Sequence, residues 1–187
     1  MQSKGKVAVK KLFFETERLV VRPMQDEDRD FFVSLHTDEK IMKLTGGVLS
    51  EEVAHKKFCN AMDLNNATDF TFKTWAILDK TKNIPVGVQV LFKPSTPSSA
   101  STLEIGIILS RLFQGKGLPE EAMGGLMEFA FKTLGTEKIV ATFSHNNLAT
   151  KRFVRKLGFQ FLPRSSDDNS FHIYFNADDW TKKLLVS

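Results

Sequence analysis

The run Arg111-Leu-Phe-Gln-Gly-Lys-Gly-Leu-Pro-Glu-Glu-Ala122 constrains this chain most, because a glycine-containing loop leads there directly into an amphipathic helix. Unpaired N–H groups at a helix start point one way, and the helix dipole adds about half a positive charge. Such a junction suits a phosphate or pyrophosphate. Gly115 and Gly117 permit positive φ angles and leave no Cβ between backbone and ligand. Pro119 is sterically welcome at the first helical positions but offers no N–H. The loop is not of the nucleotide-triphosphatase kind, since no Gly stands five residues before Lys116 and no Ser or Thr follows it. ATP is therefore not an expected ligand.

Hydrophobic periodicity predicts a strand over residues 18–24 and a helix over 26–37 with Phe31, Phe32 and Leu35 inward. A short helix over 38–44 ends at Thr45-Gly46-Gly47, and Ser50 caps a helix over 50–62. Strands over 72–79, 86–92 and 102–109, the first two joined by the polar turn 80–83, make an antiparallel meander. A helix over 119–134, a strand over 138–143, a helix from 147 or 148 to 157, and strands near 159–162 and 171–176 follow. A crossover helix between the 102–109 and 138–143 strands makes that pair parallel. The expectation is an α+β (mixed α/β) chain with a central mixed β-sheet of about six to seven strands flanked by helices. One domain over residues 13–187 follows a basic segment, 1–12. Gly124-Gly125 in mid-helix costs about 1 kcal/mol per residue relative to Ala, which close packing against the sheet would offset.

A chain of 187 residues can bury a sizeable core, and 17 Phe against one Tyr and two Trp point to a core filled by Phe. The net charge of +4 is compatible with an anionic ligand without requiring one. A single cysteine rules out an internal disulfide and fits a reducing cytoplasm. Within its helix Cys59 reads as a small buried hydrophobe. Val7-Ala-Val9 is too short for a signal peptide and there is no membrane-length apolar run, so no membrane association is expected. The four His show no metal spacing, and no recognition motif accompanies Lys4 to Lys11, so neither a metal nor nucleic acid is expected. A monomer and a homodimer both remain open.

Glu104-Ile-Gly-Ile-Ile-Leu109, Gln114-Gly-Lys-Gly117, Glu121-Ala122, Asn147-x-x-Thr150 and Lys156-Leu-Gly-Phe159 stand in one order and spacing. In these motifs the chain resembles the GNAT superfamily of acetyl-CoA-dependent N-acetyltransferases, over about residues 13–182. Glu15-Thr-Glu-Arg-Leu-Val-Val-Arg-Pro23 and the stretch from Tyr174 to Trp180 look like the branch containing the ribosomal-protein N-terminal acetyltransferases (RimJ/RimL type). The resemblance implies acetyl-CoA as co-substrate, no metal, and central parallel strands that splay to admit the pantetheine arm. It also implies cofactor contacts from Ile107, Ile108, Leu109, Gln114, Gly115, Lys116, Gly117, Leu118, Glu120, Asn147 and Thr150. Asn147 reads equally as a helix N-cap, and Lys151, Arg152, Arg155 and Lys156 as a solvated basic face.

Acetyl transfer needs a neutral amine, and an alkyl amine has a pKa of about 10. Glu104 is the implied general base, acting through an ordered water; a carboxylate on a sheet face also simply points to solvent. A backbone N–H at Ile107 or Ile108 would polarise the thioester carbonyl. Val154 stands where many relatives carry a thiolate-protonating Tyr, which leaves Thr150 to assist a thiol whose pKa of about 8.5 already makes it a fair leaving group. His145 is a second candidate base for the acceptor. Direct transfer in a ternary complex is implied, with a protein or peptide N-terminal amine favoured and a small-molecule amine as the alternative. The departures at Pro119 and Val154 keep open a module that binds acyl-CoA without catalysis. The acceptor pocket is expected between residues 42–49, the 94–101 loop and the terminal strands.

Overall fold

The computed structural model describes residues 12–95, 101–166 and 168–180. The basic segment 1–12 lies outside this range except for Leu12, whose carbonyl accepts the indole N–H of the buried Trp75 at 2.7 Å. Strands β1 (Phe14–Glu15), β2 (Leu19–Pro23), β3 (Phe72–Asp79), β4 (Pro85–Phe92), β5 (Thr102–Leu109), β6 (Lys138–Ser144), β7 (Gln160–Phe161) and β8 (Ser170–Asn176) form one sheet, ordered β1-β2-β3-β4-β5-β6-β8-β7. The sheet has eight strands rather than six to seven, because the two-residue β1 is too short to register as a periodic pattern. All neighbours are antiparallel except β5 and β6.

Helices α1 (Arg29–Thr37), α2 (Glu39–Met42), α3 (Glu51–Asn66), α4 (Leu118–Thr133) and α5 (Leu148–Leu157) cover both faces. Sheet alternation sends Trp75, Leu91, Leu103 and Ile105 into a core with Leu126 and Met127 of α4 and Leu157 of α5. It sends Val88 to the opposite face, into a second core with Phe32 and Leu35 of α1 and Phe58 of α3. The result is a layered helix–sheet–helix arrangement. The helices start where sequence places good caps: Asp38 accepts from the amides of Lys40 at 2.8 Å and Ile41 at 3.0 Å, and Ser50 from that of Val53 at 3.3 Å. α3 runs four residues beyond the expected 62 because Lys73 holds its last turn, donating to the carbonyls of Leu64, Asn65 and Ala67 at 2.8, 2.9 and 2.9 Å. Its buried stripe is Ala54, Phe58 and Ala61, which leaves Cys59 on the exposed side. The expectation of a buried cysteine is thereby corrected.

Candidate active site

α4 begins where the backbone turns left-handed at three successive residues, with φ of 93° at Gly115, 54° at Lys116 and 74° at Gly117. Within the turn the Leu118 amide donates to the Gly115 carbonyl at 3.1 Å, and the Glu121 amide to that of Gly117 at 3.0 Å. The donor expected from Leu118 is thus engaged inside the loop, and Pro119 has none. The amides of Lys116, Gly117 and Glu120 have no acceptor among the described residues and remain for an anion.

The loop is braced from outside. The Glu121 carboxylate accepts from Thr16 Oγ1 at 2.6 Å, Arg18 N at 2.7 Å and Arg18 Nε at 2.6 Å, while Arg18 Nη1 reaches the Lys116 carbonyl at 2.9 Å. Burial works against ionisation of Glu121, but the bonds from Thr16 and Arg18 and the guanidinium charge outweigh it and hold the carboxyl below the usual range. Glu120 pairs with Lys156 Nζ at 3.2 Å, so each acid beside the anion site has a cationic partner. Gln114 folds back, donating through Nε2 to the Leu109 carbonyl at 3.0 Å and tying the loop to the end of β5.

β5 and β6 pair only through Thr102, Leu103 and Glu104, opposite Lys138, Ile139 and Val140, although both strands continue. Beyond Glu104 they part. The Ser110 amide donates to the Val86 carbonyl at 2.9 Å, so alternation along β5 turns the amides of Gly106 and Ile108 toward β4 and those of Ile107 and Leu109 toward the gap. The Ile108 amide therefore belongs to the ladder with Val88. A cavity of about 590 Å³ fills the gap, with Ile107, Ala141, Phe143, Asn147 and Thr150 in its wall. Asn147 caps α5, its Oδ1 accepting the Thr150 amide at 3.1 Å. The cap orients the side chain and leaves its Nδ2 donors without an acceptor among the described residues. Val154 is buried, and the Tyr174 hydroxyl is tied to Gln160 Oε1 at 2.5 Å.

A second cavity, about 380 Å³, lies between α1, α3 and the β3–β5 face and meets the first at Thr45, Gly106 and Ile107. Its walls include the stacked rings of Phe72 and Phe92, with centroids 5.3 Å apart. Thr74 lines it at 1% exposure, and its Oγ1 has no hydrogen-bond partner. His36 is 2% exposed and stacks on Phe32. A carbonyl can only accept, so the 2.8 Å contact with Phe32 O makes Nδ1 the protonated nitrogen and leaves Nε2 the lone pair. Burial holds His36 below its ordinary pKa, against that hydrogen bond and with help from the charge of Lys57. The Lys57 side chain is exposed overall, yet the protein packed around its ammonium lowers its pKa as well.

Glu104 shares the face of Gly106, two residues and about 7 Å along the strand. Burial raises its pKa, opposed by a hydrogen bond with Thr142 and by the nearby His172. Thr142 Oγ1 lies 3.2 Å from His172 Nδ1, and His172 Nε2 lies 3.2 Å from Asp168 Oδ2. A partly desolvated carboxylate with a hydroxyl partner is a stronger base than a solvated one and is equipped to take a proton. His145 is engaged elsewhere, its Nδ1 bonded to the Asn169 carbonyl at 2.9 Å. No group of three or more metal-ligating side chains occurs among the described residues.

Of the expected segment 42–49, residues 43–47 border the gap cavity; of the expected loop 94–101, residues 96–100 fall outside the described range; and α1 and α3 supply walls the sequence reading did not foresee. His36, Lys57 and Thr74 were missed. A usable signal was the stripe Lys57, Asn60, Ala61, Leu64, spaced along one face of α3 and mixing polar with apolar residues.

The profile of the acetyltransferase (GNAT) domain matches residues 18–160. The chain is 28% identical over 146 residues to the uncharacterized N-acetyltransferase YnaD of Bacillus subtilis, covering 78% of this chain and 81% of that one. Its fold is similar to that of spermidine N-acetyltransferase from Vibrio cholerae, solved with CoA and spermine (TM-score 0.73, 17% identity, 88% and 98% of the two chains). It is equally similar to ribosomal-protein-S5-alanine acetyltransferase from Vibrio fischeri (TM-score 0.73, 16% identity, 90% and 98%).

Proposed function

The chain belongs to the acetyltransferase (GNAT) domain family, and from that premise we propose that it moves an acetyl group from acetyl-CoA to a primary amine by direct transfer. It is an acyltransferase that depends on acetyl-CoA. The observation that carries the proposed site is the meeting of two cavities at Gly106 and Ile107, one running through the β5–β6 gap to Met123 of α4, the helix that starts at the anion loop, and the other lying between α1, α3 and the sheet.

In this reading the pyrophosphate sits on the Lys116, Gly117 and Glu120 amides, and the pantetheine arm runs along Ile107 and Leu109 past the Asn147 amide group. The Ile107 N–H donates to the thioester oxygen and stabilises the negative charge that grows there. Glu104 takes the amine proton through one water, since about 7 Å is too far for direct contact. The amine nitrogen bonds to the carbonyl carbon, the C–S bond breaks, and the thiolate is protonated from solvent or the Thr150 hydroxyl. An amide and a free thiol result, with no acyl-enzyme.

Two fold-mates of equal similarity are named for a polyamine and for a protein alanine, so fold does not choose the acceptor. A protein or peptide N-terminal amine in the RimJ/RimL manner is supported by the motifs at 15–23 and 174–180; a small-molecule amine is supported by the largely apolar second cavity. A single acetyltransferase unit over 13–187, working in a reducing cytoplasm as the lone cysteine suggests, completes the proposal. Calorimetric titration with acetyl-CoA, with ATP as control, tests it alongside a thiol-release assay of Glu104→Gln. Micromolar acetyl-CoA binding, kept in the variant while kcat falls by about a hundredfold or more, is expected. Unchanged turnover in the variant would remove Glu104 from the mechanism, and no acetyl-CoA binding at millimolar concentration would refute the whole reading.

A further inference from the structure

The second cavity is chemically one-sided. Phe72 and Phe92 stack along its wall, Leu64, Val88 and Val90 continue the apolar surface, and Gly106 puts no side chain where the cavity opens to the gap. Neither cavity is lined by an Asp or Glu among the described residues. The formal charge at the second one is the ammonium of Lys57 on the rim, while burial disfavours the charged form of His36, against the hydrogen bond it makes to the Phe32 carbonyl. Thr74 is almost fully buried, register turns it to the same face as Val90, and its hydroxyl is unsatisfied. A buried hydroxyl without a partner costs free energy that a bound polar group would recover.

Resting on the acetyl-transfer reading above, we propose that the acceptor is a monoamine whose amine is borne on an apolar group of leucine-to-phenylalanine size. That group fills the cavity between α1, α3 and the sheet, and a second cation on the acceptor is rejected by Lys57. A volume of about 380 Å³ holds an aromatic ring with a short linker and lies at the low end of ordinary ligand sites. The same chemistry occurs at the N-terminus of a peptide beginning with Phe or Leu and in a free arylalkylamine. A polyamine has the opposite character, with several cations and little apolar bulk, and would need carboxylates that these walls do not have.

Thiol release from acetyl-CoA would be measured with 2-phenylethylamine, peptides beginning with Phe, Leu or Ala, and spermidine, using the full chain and its Lys57→Glu variant. Lys57 is exposed, so the variant should fold. The expected result is a kcat/KM for the apolar amines about tenfold or more above the Ala peptide and spermidine, and a severalfold gain for spermidine in Lys57→Glu. A peptide preferred over phenylethylamine identifies a protein source, and the reverse a metabolite; both support the shared chemistry. Preference of the unmodified chain for spermidine, no discrimination among the amines, or no gain in Lys57→Glu would overturn the inference while acetyl-CoA binding in the same samples keeps the transfer reading. Absence of acetyl-CoA binding would overturn both.

Discussion

Gly124 and Gly125 are neighbours in α4, yet replacing each by Ala should move stability in opposite directions. Relative to Gly, Ala in a helix interior gains about 1 kcal/mol. At Gly124 a new Cβ would lie 3.4 Å from Leu157 Cδ2 and 3.6 Å from Trp180 Cη2, ordinary contact distances, so the gain is kept. At Gly125 it would lie 2.7 Å from Thr16 Cγ2 and 3.1 Å from Phe14 Cε2. Overpacking of that kind costs about 1–3 kcal/mol. Thr16 also has little room to yield, because its hydroxyl donates to Glu121 at 2.6 Å and accepts the Leu19 amide at 3.2 Å. The expected net effects are about 1 kcal/mol stabilising for Gly124→Ala and about 0–2 kcal/mol destabilising for Gly125→Ala, toward the upper end because Thr16 is held. For a domain of this size each kcal/mol moves Tm by about 2–4 °C. Calorimetric melting of the two variants reads this directly. Because Thr16, Glu121 and Arg18 together brace the anion loop, acetyl-CoA affinity should also fall in Gly125→Ala and hold in Gly124→Ala. Parallel shifts of Tm in the two variants would refute the reasoning, since helix propensity alone would then account for both.

The raised pKa of Glu104 should put the acid limb of kcat/KM above the ordinary carboxylate range, with activity appearing as pH rises through it; a pH profile checks this, and Glu104→Gln should remove that limb. Glu121 has the opposite shift, so its stabilisation is present above the unfolded carboxylate pKa and is lost as pH falls through the lowered folded value. Urea unfolding should accordingly find Glu121→Gln less stable than the unmodified chain at neutral pH, with the difference shrinking as pH falls below the unfolded carboxylate pKa and through the lowered folded one. Gln89 is 1% exposed with neither amide atom bonded, so Gln89→Met should raise the urea midpoint, by about 1 kcal/mol of stability; a lowered midpoint would show that the amide is satisfied.

The sequence by itself determined the parts of this protein that depend on near neighbours along the chain. The strands 72–79 and 102–109 were read with the bounds they have, and the start of α5 at Asn147 and the left-handed loop before α4 follow from caps and glycines acting within a few residues. Alternation and helical spacing are local periodicities, so they survive without a tertiary context. Tertiary structure alone decided which of two adjacent residues does what. Ile107 rather than Ile108 faces the gap because the β4 partner claims every second amide of β5. Gly125 rather than Gly124 is sterically required because β1 crosses that side of α4. His36, Lys57 and Thr74 come from α1, α3 and β3 and share a cavity only once both helices pack on the sheet. Such juxtapositions are set by register and by the facing element, which lie far away in sequence, and no local pattern encodes them.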